Sequence, residues 1–191
     1  MAGAAGFTAV LDANVLYPAL LRDVLLSLAQ TGIYVARWSV DIEDEWSRHL
    51  IQDFPDKEAS IRHMTLQMQT AIPDCLIRGY EPFIDGLNLP DPDDRHVLAA
   101  AIVGHADVIV TSNTKDFPRD VLASYDIELQ GPDEFLVNQL NLYPLRALEA
   151  LKAMRQRWRR PEMSATAMIE LMEQRGLAMT ASHLSEAVNL L

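Results

Sequence analysis

The chain has 191 residues, a formal net charge of −11, a single cysteine and a 49% hydrophobic share. That length and composition suit one globular domain, or one domain with an appendage, and exclude wholesale disorder. The acidic balance excludes a protein that coats nucleic acid through its overall field, but not an enzyme that meets a phosphate backbone at a cation-holding cluster of carboxylates. No apolar run approaches a membrane span, and the opening MAGAAG lacks the basic start and long apolar middle of a signal peptide. The lone Cys75 leaves no intrachain disulfide and no multi-cysteine metal site, reads as a small apolar filler beside a strand, and suits a reducing cytoplasm.

In chain order, the apolar run 7–11 (FTAVL) is a short strand that stops at Asp12-Ala13-Asn14. Pro18 fits the first turn of a helix whose Leu21, Val24, Leu25 and Leu28 repeat at helical spacing, and Gly32 ends it. A second strand follows over 33–36. Ser39 then N-caps a helix to about residue 50, on which Ile42, Glu45, Trp46 and His49 share a side while Glu43 and Asp44 point elsewhere. Pro55 opens a helix to about residue 71, and 75–77 is a brief third strand.

Next comes a knot of acids around Pro92: Asp91, Asp93 and Asp94. An alanine-rich helix over 95–104 follows, with Asp94 capping its buried side and Asp93 turned toward solvent. A fourth strand over 108–110 runs into Ser112, Asn113, Thr114, Lys115 and Asp116, then a helix over about 118–124 and a fifth strand over 127–129. Strands alternating with helices predict an α/β fold with a central, mainly parallel five-stranded sheet. After about residue 141 no strand signal remains. A helix over 144–160 ends in RQRWRR, Pro161 breaks it, and two more helical segments are split at Gly176. The expected division is a domain over 1–142 and a helical C-terminal appendage over 143–191.

Four acids hold comparable places: Asp12 after the first strand, Glu45 on a helix face, Asp94 at a helix start and Asp116 after the fourth strand. In a parallel sheet with right-handed crossovers, strand C-termini and helix N-termini gather on one edge, so these side chains can converge. Two carboxylates about 4 Å apart repel by roughly 4 kcal/mol at an effective dielectric of 20, so such a cluster requires protons or cations. All-oxygen ligation selects Mg²⁺ or Mn²⁺ over zinc, and such ions serve phosphodiester cleavage.

The sequence resembles the PIN-domain ribonucleases, of the kind found as VapC toxins in bacterial toxin–antitoxin pairs. The resemblance rests on VLDANVL near the start, SVDIEDEWSRHL in the second helix and DPDDRHVLAAAIVGHADVIVTSNTKDF in the centre, and spans most of residues 7–135. It implies a PIN-like three-layer fold, with Asp12, Glu45 and Asp94 as metal-binding acids and Asp116 as the fourth. It also implies metal-dependent hydrolysis of RNA, a cognate antitoxin as partner and the possibility of a homodimer. Many family members carry an acid two residues after the strand-four threonine, where this chain has Asn113, so the fourth position lies between Asn113 and Asp116. Asn14 and Thr111 are expected to support the site by hydrogen bonding.

Other readings meet obstacles. A haloacid-dehalogenase-like phosphotransferase wants a second acid two residues beyond Asp12, where Asn14 stands, and a dinucleotide-binding domain wants a glycine-rich turn after strand one. The alternative to an enzyme is a catalytically silent PIN-like scaffold that binds RNA or protein. His96 and His105 have no recognisable catalytic partner in the sequence, and Trp38, Trp46 and Trp158 read as packing residues. The basic run Arg155, Arg157, Arg159 and Arg160 is either a solvated helix end favoured by the helix dipole or a contact for RNA phosphate or antitoxin.

Overall fold

The computed structural model describes residues 6–159 and 162–191. Five parallel strands form the sheet: β1 (Thr8–Leu11), β2 (Val35–Ser39), β3 (Leu76–Ile77), β4 (Val108–Val110) and β5 (Glu128–Gln130), in the order β3-β2-β1-β4-β5. Side chains of a strand alternate between the two faces of a sheet. Ala9, Val10 and Leu11 of β1 and Val108, Ile109 and Val110 of β4 are all fully buried, so helices cover both faces of the centre. The expected α/β architecture with a helical C-terminal part is therefore the observed one.

The ladder also explains the largest shift in an element. The expected second strand over 33–36 lies instead at Val35–Ser39, in register with β1 through Thr8↔Val35 and Val10↔Arg37. Pairing with β1 and then β3 carries the strand past the apolar run, to Trp38 and Ser39. Ser39 then caps α3 (Val40–Asp53), its hydroxyl accepting from the Ile42 amide as expected.

The chain leaves β1 into a four-residue helix, α1 (Ala13–Leu16), before α2 (Ala19–Gln30). Arg22 of α2, nearly buried, donates to the carbonyls of Leu16 and Tyr17 and so closes the free end of α1. Gly32, at φ +72°, supplies the left-handed turn after α2. After α3 come α4 (Glu58–Ala71), α5 (Arg95–Val103) and α6 (Arg119–Ala123). Gly104, between α5 and β4, passes so close to Ile77 that an added Cβ would sit 2.7 Å from its Cδ1. The chain must be bare there for α5 to lie against the β3 edge.

The C-terminal helices are α7 (Pro132–Leu142), α8 (Pro144–Arg157), α9 (Ala165–Gln174) and α10 (Ala178–Ser185). Phe135 of α7 meets Tyr34 edge-to-face at 4.9 Å between ring centroids, which ties α7 to the segment entering β2. Helix α8 ends at Arg157 rather than at residue 160, because Trp158 leaves helical geometry and donates its indole N–H to Asp23 of α2. Arg160 and the expected break at Pro161 lie outside the described residues.

Asp133 joins α7 to α10. Its carboxylate accepts from the backbone N–H of Met179 and of Thr180 at 2.8 Å each, and from the Thr180 hydroxyl at 2.6 Å. Among the described residues no other side chain caps this helix start, since its N-cap is Leu177. Thermal or urea unfolding of Asp133→Ala should show a loss of about 1–3 kcal/mol, the cost of stranding a cap and a buried hydroxyl. A stability equal to wild type would show that water replaces the carboxylate without cost.

Candidate metal centre

The strand order reverses at β1: the chain moves outward through β2 and β3 on one side, and through β4 and β5 on the other. The crevice at such a switch point, beyond the carboxyl ends of the strands, is where open α/β sheets place their sites. Asp12 stands at the end of β1 and Thr111 at the end of β4. The ladder holds them together, with the Asp12 N–H bonded to Val110 O at 3.1 Å.

Asp12 is nearly buried and fully engaged. Oδ1 accepts from the Ala13 amide at 2.6 Å, and Oδ2 accepts from Asn14 Nδ2 and from the Thr111 hydroxyl, each at 2.6 Å. The Thr111 hydroxyl in turn accepts from Asn14 Nδ2 at 2.9 Å and from the Asn113 amide at 3.0 Å. Asn14 Oδ1 accepts from the Ser112 amide at 2.9 Å, which pins the turn after β4 onto α1. The supporting roles expected of Asn14 and Thr111 thus have a geometric counterpart. Burial raises the Asp12 pKa above the ordinary carboxylate value, against the pull of its hydrogen bonds to Thr111 and Ala13.

Asp94 is the electrostatic focus. Its pKa is pushed up to about 6, first by burial and then by the charges of Asp12, Asp91, Asp116 and Glu45. The four acids singled out in the sequence therefore share one field. The tightest group is a different set, however: one carboxylate oxygen from each of Asp91, Asp94 and Asp116 lies within 4.8 Å of the others. Asp12 and Glu45 stand outside that triplet. Asp91 enters it because the chain makes a 3-10 turn at Pro92–Asp94, with the Asp91 carboxylate accepting from the Asp93 amide. Asp93 is exposed, as expected. Asn113 Nδ2 reaches Asp94 Oδ2 at 3.5 Å, so an amide and the Asp116 carboxylate both attend the same acid.

Two side chains have partners that the sequence did not reveal. His96 does have a partner: Nε2 lies 3.4 Å from Glu45 Oε2, and its Nδ1 is buried without a partner among the described residues. Burial pulls its pKa down, but the hydrogen bond and charge of Glu45 win and raise it. Glu43 points away from the Glu45 side, as expected, and is buried there; its carboxylate accepts from Trp38 Nε1 at 3.0 Å and Gln69 Nε2 at 2.8 Å. Burial raises its pKa, and both hydrogen bonds oppose this. Glu43 braces α3 against β2 and α4. Nearby Cys75 is buried, and desolvation followed by the Glu43 charge pushes its thiol up to about 11, which fits an inert filler.

Among the described arginines of the basic run, none pairs with the acids of the centre. Arg157 pairs with Asp23 at 2.7 Å and donates to Ser27 Oγ, while Arg155 donates to the carbonyls of Met163 and Leu191. Arg159 is exposed. Trp38 and Trp46 are fully buried packing residues, with Arg22 stacked 5.1 Å from the centre of the Trp46 ring.

Residues 8–115 match the family model described as PIN domain. The chain belongs to the PIN domain family. That match holds Asp12, Glu45, Asp91, Asp94, Thr111 and Asn113 of the centre, and Asp116 follows directly after it. Residues 132–186 match a second model, described as the VapC50 C-terminal domain, which takes in α7 to α10. Over 75 residues the chain is 49% identical to "Putative ribonuclease VapC50" of Mycobacterium tuberculosis, a stretch that covers 39% of this chain and 41% of that protein. The PIN-domain chain thus aligns with less than half the length of this relative. No solved structure gives a significant match. Among the described residues no helix is long and apolar enough to cross a membrane.

Proposed function

We propose that the chain is a divalent-metal-dependent endoribonuclease that hydrolyses RNA phosphodiester bonds, and that it is the toxin of a VapBC-type pair. The observation that carries this reading is the convergence of Asp12, Glu45, Asp91 and Asp116 on Asp94 at the switch point of the sheet. Membership of the PIN family and the name of the mycobacterial relative support it. A binding scaffold gains nothing from carboxylate repulsion, whereas a cation site needs it.

The donor set fits a hard cation. Three carboxylates within 4.8 Å, with no thiolate or imidazole among them, suit Mg²⁺ or Mn²⁺. Asp94, Asp116 and Asp91 would hold such an ion, with Asp12 and Glu45 at its margin and Asp116 in the fourth acidic position of the family. When bound, a divalent ion supplies charge neutralisation for the phosphate and lowers the pKa of water. The chain's own contribution is positional. Thr111 and Asn14 fix the Asp12 carboxylate, Asn113 steadies Asp94, and His96 holds Glu45 on the cluster side of α3.

We keep the division into a nuclease domain over 1–142 and a helical appendage over 143–191. The partners of this reading are the RNA substrate and a cognate antitoxin chain, with a homodimer as the assembly and the cytoplasm as the place of action. Of the basic run, Arg159 is the described arginine placed to meet RNA or a partner, since Arg155 and Arg157 are engaged within the chain.

Incubating a randomised single-stranded RNA pool with the protein in Mg²⁺, Mn²⁺ or EDTA tests the proposal. Cleavage in either metal and none in EDTA is the expected result. No cleavage, together with no Mn²⁺-induced rise in melting temperature, would favour the silent scaffold.

A further inference from the structure

A cavity of about 630 Å³ lies where the start of α2, the turn after β4, the start of α7 and the end of α9 meet. Leu20, Leu171 and Leu177 form apolar walls, Pro132 closes one side, and Ser112 and Arg175 supply the polar atoms. We propose that this cavity seats a nucleotide of the RNA strand beside the cleavage site, its base against the leucines and its phosphate on Arg175. The proposal rests on the ribonuclease reading above.

Three features favour a nucleotide over other occupants. The first is size: the volume falls within the usual range of sites for small organic groups, about 300–1,000 Å³. The second is charge. On a chain of net charge −11, no carboxylate lines the cavity, and the Arg175 guanidinium has no hydrogen-bond or ion-pair partner among the described residues. A cation left open beside an acidic site is placed for an anionic ligand, and the planar fork of arginine suits phosphate.

The third feature is continuity with the acidic centre. Ser112 belongs both to the cavity wall and to the turn that Asn14 pins, and Asn14 is bonded to Asp12. A strand lying over the acids therefore reaches the cavity by following that turn. Arg175 comes from the C-terminal helices, at the residue after α9, just before Gly176 turns the chain at φ +85°. The appendage would then help to hold substrate as well as packing on α2.

The test is equilibrium binding of a fluorescein-labelled ten-nucleotide RNA of randomised sequence in Ca²⁺ buffer, using the full chain. Variants are Arg175→Ala, and Ala19→Trp, which fills the cavity from an exposed position on its rim. The expected result is about a tenfold rise in Kd for each variant. Arg175→Ala should also reduce the slope of log Kd against log salt by about 0.7, one phosphate contact on a single strand. The Mn²⁺-induced melting shift should stay at its wild-type value in both variants, because neither touches the acids. RNA Kd values within twofold of wild type in both variants would overturn the proposal, and a protein segment as the natural occupant predicts that result. A wild-type chain that binds no RNA would overturn this proposal and the ribonuclease reading together.

Discussion

Asp94→Asn is expected to abolish RNA cleavage while raising the melting temperature of the metal-free protein by about 2–4 °C at pH 7.5. The two effects have one origin. Asp94 titrates at about 6 in the folded chain against 3.8 for an ordinary aspartate, because burial and four neighbouring acids oppose its charge. The folded state therefore takes up this proton at a higher pH than the unfolded state does. The stability this group contributes is complete below about pH 4 and is lost as the pH rises through about 6, so above that pH the ionised carboxylate destabilises the fold. Raising the carboxyl from 3.8 to about 6 amounts to about 3 kcal/mol at full strength, and to about 1 kcal/mol once solvent screening of a half-buried group is allowed for.

Asparagine keeps the shape and removes the charge, which relieves that repulsion. The gain over wild type should shrink as the pH falls through about 6, where the folded Asp94 takes up its proton, and vanish below about pH 3.8, where the unfolded chain is protonated as well. The same substitution removes a ligand from the Asp91–Asp94–Asp116 triplet, so the Mn²⁺-induced rise in melting temperature should largely disappear. Differential scanning calorimetry over pH 4–8, with and without Mn²⁺, reads both effects. A mutant that melts with wild type in EDTA and still responds fully to Mn²⁺ would remove Asp94 from the centre.

What was legible in the sequence depended on how local its cause was. The apolar runs of β1 and β4 have no polar face, as strands at the centre of a parallel sheet must, and the residues that end them are at the switch point by topology alone. Asp12 and Thr111 could be found this way, and Asp94 by its place at the start of α5, on the same edge of the sheet. Asp91 could not, because its place in the triplet depends on the 3-10 turn at Pro92–Asp94 and on how that turn faces Asp116. Glu43 could be placed off the Glu45 side of α3 but given no role, because its two partners come from other elements, Trp38 on β2 and Gln69 on α4.

His96 and Glu45 lie about fifty residues apart and meet only because α5 packs on α3. The basic run shows the same limit in reverse. Arg157 read as an open positive charge until the fold placed Asp23 and Ser27 of α2 against it. Periodicity and chain order predict which elements form and which ends of them gather. Pairings between helices separated by a hundred residues depend on packing angles that no local pattern carries.

Thr111→Val should lower cleavage activity and Mn²⁺ affinity by about 10–100-fold while leaving the fold intact. The Thr111 side chain is fully buried, and valine has nearly the same shape, so packing is preserved. Its hydroxyl donates to Asp12 and accepts from Asn14 and from the Asn113 amide. Removing it leaves the Asn113 amide without this acceptor and Asp12 Oδ2 with only the Asn14 amide. The carboxylate also loses its largest hydrogen-bond support for the charged form, so its already raised pKa should rise further. Asp12 would then hold its proton to a higher pH, and metal affinity should fall more steeply on acidification than in wild type. The unmet hydrogen bonds should also cost about 1–3 kcal/mol of stability. Thr111→Ser, which keeps the hydroxyl and loses only a methyl group, separates the two causes. It should retain most of the Mn²⁺ affinity of wild type at pH 7.5, whereas valine should not. Equal Mn²⁺ affinity in the serine and valine variants would show that the hydroxyl does not position Asp12, and that β4 contributes to the centre through its backbone alone.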